Sequence, residues 1–332
     1  MPASAHSQRI IRFCLDYPAS IGWGHGVRCS TIAHELLSRG CRVELLTTTP
    51  DTPPDMWGRE FPATVHIPSW EYAPPHAGCD AWVIDHYALR SGHPFYDTLI
   101  QNRQSVIVID DIPAPSSMEN ASGVINPNPY AKPSDYPAKP AVCGPSLALI
   151  RSGFHASEAI PGIKDRLPPE FLVMIMGGSD PSHVAVRSWE WIKNKNWDPP
   201  LPIVFVNPPF QIPESSIHIS TRPLDAPGLS WLFDRASAVI SAAGSTLCEI
   251  AFCNTPFVAV KVADNQTLTC KFAEDIWNMP VLYPDSFVPD ELNRALSRIT
   301  MGNSNARKHA FNPPVDSGGP GRAADFILRQ TS

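Results

Sequence analysis

Two series of short apolar runs, separated by segments with helical spacing, constrain the fold of this chain most strongly. The first series lies at 10–15, 42–47, 81–85 and 105–110, and the second lies at 171–176, 202–206, 238–241 and 256–260. Short apolar runs bounded by polar residues are typical of strands buried on both faces of a parallel sheet. Their alternation with helices is typical of βαβ units. The pattern therefore predicts an α/β fold with two Rossmann-like halves, and further short strands are expected at 64–67 and 123–126.

A polar, proline-bearing stretch at 152–168 separates the two series. The length of 332 residues exceeds what one hydrophobic core usually supports, which favours two domains. We assign residues 1–154 to an N-terminal domain and residues 155–332 to a C-terminal domain that ends in a helix at 323–330. The apolar residues of this helix predict that it docks on the protein, and a solvent-exposed tail is the alternative; they are Ala324, Phe326, Ile327 and Leu328.

Charge and cysteine usage exclude several classes of partner. A formal net charge of −6 argues against non-specific binding to nucleic acid and against docking on an anionic membrane. No segment approaches the roughly 20 apolar residues that cross a bilayer, and the N-terminus lacks the apolar run of a signal peptide. The eight cysteines show neither a CxxC pair nor the spacing of zinc ligands. We therefore expect a cytoplasmic protein with reduced thiols and no metal site.

Two polar segments follow apolar runs in the first half, where side chains of a doubly wound sheet face a binding crevice. The turn at 22–26 contains Gly24, which lets the backbone approach a ligand, and His25. The alternative for His25 is capping or packing. The second segment is Asp85, His86 and Tyr87, for which a helix cap by Asp85 with two packed rings is equally compatible with the spacing.

Three polar segments occupy the same kind of position in the second half. Glycines and a hydroxyl at Gly177, Gly178 and Ser179 allow a phosphate or sugar to lie against the backbone, with capping of the next helix as the alternative. The small-residue turn Gly244, Ser245 and Thr246 presents backbone amides to a diphosphate at a helix N-terminus. One turn later, Glu249 can accept hydrogen bonds from ribose hydroxyls, or can simply interact with the helix dipole. The segment 263–266 offers the side-chain amides of Asn265 and Gln266, and the alternative is an ordinary helix start.

Together these segments resemble one family, the UDP-sugar hydrolases of pseudaminic acid biosynthesis, which are related to the MurG-type glycosyltransferases. The matching motifs occur in the family's order between residues 21 and 266; they are IGWGHGVRCSTIAHEL, VIDHYAL, IDD at 109–111, NPNPYAKPSDY, CGPSLALIRSGF, MGGSD, SAAGSTLCEIAFCNTP and ADNQ. Several motifs in order are more specific than any one of them.

The resemblance implies a GT-B fold with the active site in the cleft between its two domains. It also implies hydrolysis of UDP-2,4-diacetamido-2,4,6-trideoxy-β-L-altropyranose to UDP and free sugar, by attack of water at the anomeric carbon, without metal or cofactor. His25 would position or activate the water, and Tyr87 and Asn265 would support the reacting sugar. Residues 244–246 would hold the diphosphate and Glu249 the ribose.

The same resemblance implies further substrate contacts from Arg28 in the N-terminal domain. A monomer or weak dimer is expected. The main alternative is a GT-B glycosyltransferase that passes a UDP-sugar's glycosyl group to an acceptor, because fold and nucleotide site are shared by the two activities. A non-catalytic sensor of nucleotide sugars is the alternative from another class.

Overall fold

The computed structural model describes residues 8–17, 24–50, 61, 63–72, 78–177, 180, 182–300 and 311–331. The chain divides into two compact units, a first unit of residues 1–149 with 318–332 and a second unit of residues 150–317. Each unit contains one parallel sheet flanked by helices, which confirms the α/β class predicted from the apolar runs. Within the described ranges, no helix combines the length and hydrophobicity needed to cross a membrane.

In the first unit the described residues form a sheet of seven parallel strands in the order β3-β2-β1-β4-β5-β6-β7. The strands are β1 Ile10–Cys14, β2 Arg42–Thr47, β3 Ala63–His66, β4 Ala81–Ile84, β5 Val106–Ile109, β6 Gly123–Asn126 and β7 Ala141–Cys143. The described helices of this unit are α1 Gly24–Ser38, α2 Pro94–Gln101 and the last helix of the chain. Every residue of β4, β5 and β6 is buried, as expected for strands covered on both faces. The strand order reverses between β1 and β4, so the loops at their carboxyl ends form a crevice.

In the second unit the described residues form a sheet of six parallel strands in the order β10-β9-β8-β11-β12-β13. The strands are β8 Leu172–Ile175, β9 Ile203–Val206, β10 Ile219–Thr221, β11 Ala238–Ala242, β12 Phe257–Val260 and β13 Val281–Leu282. The described helices are α3 Val184–Lys193, α4 Ala226–Arg235, α5 Thr246–Phe252, α6 Thr267–Asp275 and α7 Pro289–Thr300. Here the order reverses between β8 and β11.

The last helix, α8 Gly319–Arg329, packs on the first unit and not on the second, to which we assigned it from the sequence. Ala324, Phe326 and Ile327 are buried in the core of the first unit. The Phe326 ring lies so close to Gly123 of β6 that a Cβ there would be 2.4 Å from it. The assignment of residues 155–332 to one domain was wrong for this segment, because an apolar helix face does not reveal which core it covers. The prediction that the helix docks is confirmed.

All of the strands expected from the sequence are present, with ends shifted by at most one residue. The sequence pattern did not reveal β7, β10 and β13, which contain only two or three residues each and lie at sheet edges. An edge strand has one neighbour and less apolar surface to bury, so its sequence carries a weaker pattern.

Candidate functional site

The carboxyl ends of β1, β4 and β5 carry a group of connected polar side chains in the first unit. His25 and Arg28 lie in the first turn and a half of α1, which follows β1. Asp85 follows β4 directly, and Asp111 lies two residues beyond β5. Because these three strands are neighbours in a parallel sheet, their following loops meet at one edge.

His25 forms a short hydrogen bond with Asp85. Its Nδ1 atom lies 2.7 Å from Asp85 Oδ1, and the Asp85 side chain is only 1% exposed. A carboxylate accepts hydrogen bonds, so this contact assigns the imidazole proton to Nδ1 and leaves Nε2 as an acceptor. The His25 side chain is 12% exposed, so part of the ring meets solvent. This pair has the geometry of a base oriented by a carboxylate.

Arg28 bridges two carboxylates beside this pair. Its Nε atom donates to Asp85 Oδ2 at 2.6 Å, and its terminal nitrogens donate to Asp85 Oδ1 and to both oxygens of Asp111. Burial would raise the pKa of Asp85, but the charge of Arg28 and the hydrogen bonds from Arg28 and His25 hold it well below its usual range. Burial opposes ionisation of Asp111 as well, and Arg28 again lowers the pKa. Both carboxylates are therefore ionised at neutral pH.

Tyr87 completes the group. Its hydroxyl donates to Asp111 Oδ2, and its ring stands edge-on to the His25 ring with centroids 5.1 Å apart. Half of the Tyr87 surface is exposed, so the ring borders the solvent side of His25. The helix after this segment begins at Pro94 and is capped by His93, which excludes Asp85 as its cap. The structure thus joins four residues that the sequence singled out: His25, Arg28, Asp85 and Tyr87. Gly24 lies beside them, is exposed, and has open space where a Cβ would stand.

His86 belongs to a different cluster. Its Nε2 atom lies 3.1 Å from Asp16 Oδ2, and its Nδ1 atom accepts a hydrogen bond from the backbone N–H of Ala88. Asp16 also accepts hydrogen bonds from Trp70 Nε1 and Thr48. Both nitrogens of His86 are engaged in hydrogen bonds with Asp16 and Ala88, so the structure does not join it to His25, and its contact with substrate stays a prediction.

The turn between β11 and α5 is the corresponding feature of the second unit. Ser245 is exposed and its side chain makes no capping hydrogen bond. The Oε1 atom of Gln266 accepts a hydrogen bond from the backbone N–H of Val262, so the Nε2 atom faces the turn. A Cβ at position 244, where the chain has glycine, would lie 4.0 Å from this Nε2 atom. Thr246 begins the helix. Asn265 is exposed in the short helical turn that also contains Gln266.

Glu249 is buried and held by an arginine that the sequence analysis did not identify as a site residue. Arg151 Nε and a terminal nitrogen donate to the two carboxylate oxygens at 2.6 and 2.9 Å. Burial alone would lower the pKa of Arg151, but the charge of Glu249 raises it. A carboxylate has about four acceptor positions, so Glu249 retains capacity for a further donor.

The segment after β8 is only partly described. Gly177 has a φ of +80°, which favours glycine. Asp180 accepts the backbone amides of Val184 and Ala185, both at 2.8 Å, so the capping alternative holds for this residue. Gly178 and Ser179 lie outside the described residues.

Sequence reasoning also missed the groups that surround Asp111. The Asn128 side chain donates to Asp111 Oδ1 at 3.3 Å, and the Tyr130 hydroxyl donates to the Asp111 carbonyl. The acidic pair at the end of the fourth apolar run was an available signal, because that position faces the crevice. In the part of the chain that the structure describes, no set of three His, Cys, Asp or Glu side chains is arranged to hold a metal ion.

Known structures share the architecture. MurG of Acinetobacter baumannii superposes with a TM-score of 0.64 and 16% identity, covering 97% of this chain and 99% of that chain. The calicheamicin glycosyltransferase CalG4 gives 0.66 and 16%, with 97% and 98% covered. The UDP-GlcNAc 2-epimerase of Methanocaldococcus jannaschii, solved with UDP-GlcNAc and UDP, gives 0.64 and 12%, with 96% and 99% covered. No family model matches the sequence, and no curated protein matches it significantly. The chain has the GT-B fold.

Proposed function

We propose that this protein cleaves the bond between the anomeric carbon and the diphosphate of a UDP-activated sugar, with His25 as the general base. The observation that carries the proposal is the hydrogen bond from His25 Nδ1 to Asp85, which leaves Nε2 free of the proton and oriented. Nε2 can then take a proton from a hydroxyl that attacks the sugar. General-base assistance of this kind contributes about 10²–10⁴-fold to a rate.

The nucleotide assignment depends on the second unit. The exposed turn at Ser245, beside the Gln266 amide, supplies donors suited to a diphosphate. Glu249, oriented by Arg151, supplies an acceptor for ribose hydroxyls. UDP as the nucleotide is supported by the sequence resemblance and by the UDP complex of the epimerase with the same fold.

Glycosyl transfer to an acceptor is the first candidate for the reaction. Several proteins of the same fold are glycosyltransferases, CalG4 and the spinosyn forosaminyltransferase SpnP among them. In this reaction His25 removes the proton of an acceptor hydroxyl, which attacks the anomeric carbon while UDP leaves. Tyr87, edge-on to the imidazole, would then border the acceptor.

Hydrolysis is the second candidate, and the ordered motifs between residues 21 and 266 favour it. Water would replace the acceptor, and the substrate implied by the resemblance is UDP-2,4-diacetamido-2,4,6-trideoxy-β-L-altropyranose. The products are UDP and the free sugar. In both reactions His25 takes a proton from the group that attacks the anomeric carbon.

The experiment measures UDP release by the purified full chain from this substrate and from other UDP-sugars, with and without alcohol acceptors. Release without an acceptor identifies hydrolysis, and release that requires one identifies transfer. His34→Gln, an exposed histidine on the same helix, is the matched control for His25→Gln. UDP binding without release from any donor would refute the enzymatic proposal and favour a sensor.

A further inference from the structure

Asp111 holds the two groups that flank the His25–Asp85 pair, Arg28 and Tyr87. It accepts hydrogen bonds from Arg28, which lies against Asp85, and from Tyr87, which lies against the His25 ring. Its side chain is 11% exposed. The sequence predictions assigned it no role.

The charges around His25 explain why a second carboxylate matters. From α1, Arg28 lies 3.2 Å from His25 Nδ1. Cys29 donates its thiol proton to Asp85 at 3.2 Å and is neutral, because burial raises its pKa well above the usual range. The segment after β4 contributes Asp85, the hydroxyl of Tyr87 and the buried Arg90, whose guanidinium interacts electrostatically with Asp85, Arg28 and Asp110. The segment after β5 contributes Asp110 and Asp111.

With a neutral imidazole and ionised carboxylates, this group holds two positive charges, on Arg28 and Arg90, and three negative charges, on Asp85, Asp110 and Asp111. If Asp111 were uncharged, the two arginines would balance Asp85 and Asp110, and a proton added to His25 would create an uncompensated positive charge in a buried site. Such a charge is strongly unfavourable. With Asp111 ionised, the same proton brings the group to neutrality.

We propose that Asp111 is a positioning residue that neutralises Arg28 and thereby keeps the charge of Asp85 available to a protonated His25. This role rests on the proposed function, in which His25 takes up the proton of the nucleophile. The role of Asp111 can be tested without turnover, because the charge balance around His25 exists in the protein without substrate.

The test is an NMR titration of the full chain with isotope-labelled histidine, in which the His25 signal is assigned by its loss in His25→Gln. A neighbouring opposite charge shifts a titration by about one to three pH units, so Asp111→Asn is expected to lower the His25 midpoint by about one unit. Asp111→Glu is expected to return the midpoint toward that of the wild type. Asp110→Asn is the matched control, because the Asp110 side chain instead accepts from Tyr136 at 2.6 Å.

An unchanged or raised midpoint in Asp111→Asn overturns the proposal, as does a fall of equal size in Asp110→Asn. Should Asp111→Asn fail to fold, Arg28→Gln tests the same charge balance in the opposite direction. Removing the positive charge of Arg28 must raise the titration midpoint of His25. Where turnover is found, kcat of Asp111→Asn is expected to fall about tenfold and to recover in Asp111→Glu. A midpoint shift without turnover on any UDP-sugar would retain this inference and reject the proposed function.

Discussion

Replacement of Asp85 by Asn tests whether the polar group at the carboxyl ends of β1 and β4 stabilises the first unit. The wild-type carboxylate is buried and accepts hydrogen bonds from His25, Arg28 and Cys29. In Asp85→Asn the side chain keeps its shape but loses its charge. Its NH2 group must then face hydrogen-bond donors of the surrounding side chains and cannot accept from them. Arg28 is then left with Asp111 alone.

The magnitude follows from this geometry. Breaking a buried ion pair by removing one partner costs about 3–5 kcal/mol. Because Arg28 retains the carboxylate of Asp111, we expect the lower end, about 3 kcal/mol. For a unit of this size that corresponds to a fall of about 6–12 °C in Tm.

Differential scanning calorimetry of the full chain measures the effect, and Asp325→Asn supplies the control. Asp325 pairs with Arg39 at 2.9 Å in the same unit, but its side chain is 57% exposed. Exposed pairs contribute about 0–1 kcal/mol, so the control should unfold within about 4 °C of the wild type. Equal Tm values for Asp85→Asn and the control would refute the reasoning.

Three further predictions concern stability. The pKa values of Asp16, Asp85 and Asp111 are all held below their usual range, so these ionised carboxylates stabilise the fold above about pH 4. This stabilisation is lost as the pH falls further, and urea midpoints that do not fall between pH 6 and pH 3 would contradict the prediction. Arg151→Met leaves Glu249 buried without its partner and should lower the free energy of unfolding by about 3 kcal/mol. The double variant that adds Glu249→Gln should recover part of this loss. No recovery would show that the unpaired charge of Glu249 is not the cause. Phe326→Ala removes a buried ring from the last helix and should cost about 3–5 kcal/mol in urea unfolding, whereas a loss below about 1 kcal/mol would show that the helix is not docked.

The sequence predicted the sheets because strands buried on both faces must be apolar, as the fully buried β4 and β5 illustrate. It also predicted which loops carry polar side chains, because parallel strands place their carboxyl ends at one edge. His25, Asp85 and Tyr87 were found in this way.

What the sequence did not reveal depends on contacts between distant segments. Asp111 acquires its role only when Arg28 is folded against it, 83 residues away in the chain. The bond between Arg151 and Glu249 joins segments 98 residues apart. The docking of α8 on the first unit depends on complementarity with Gly123, which an apolar helix face alone does not encode.

The central claim is that His25 acts as the base when the anomeric bond of a UDP-sugar is broken. The most direct measurement compares kcat/KM for UDP release by the wild type, His25→Gln and His34→Gln, with one donor that the wild type turns over. With His25 as the base, kcat/KM falls about 10²–10⁴-fold in His25→Gln and keeps the wild-type value in His34→Gln. A His25→Gln variant that releases UDP at the wild-type rate would contradict it.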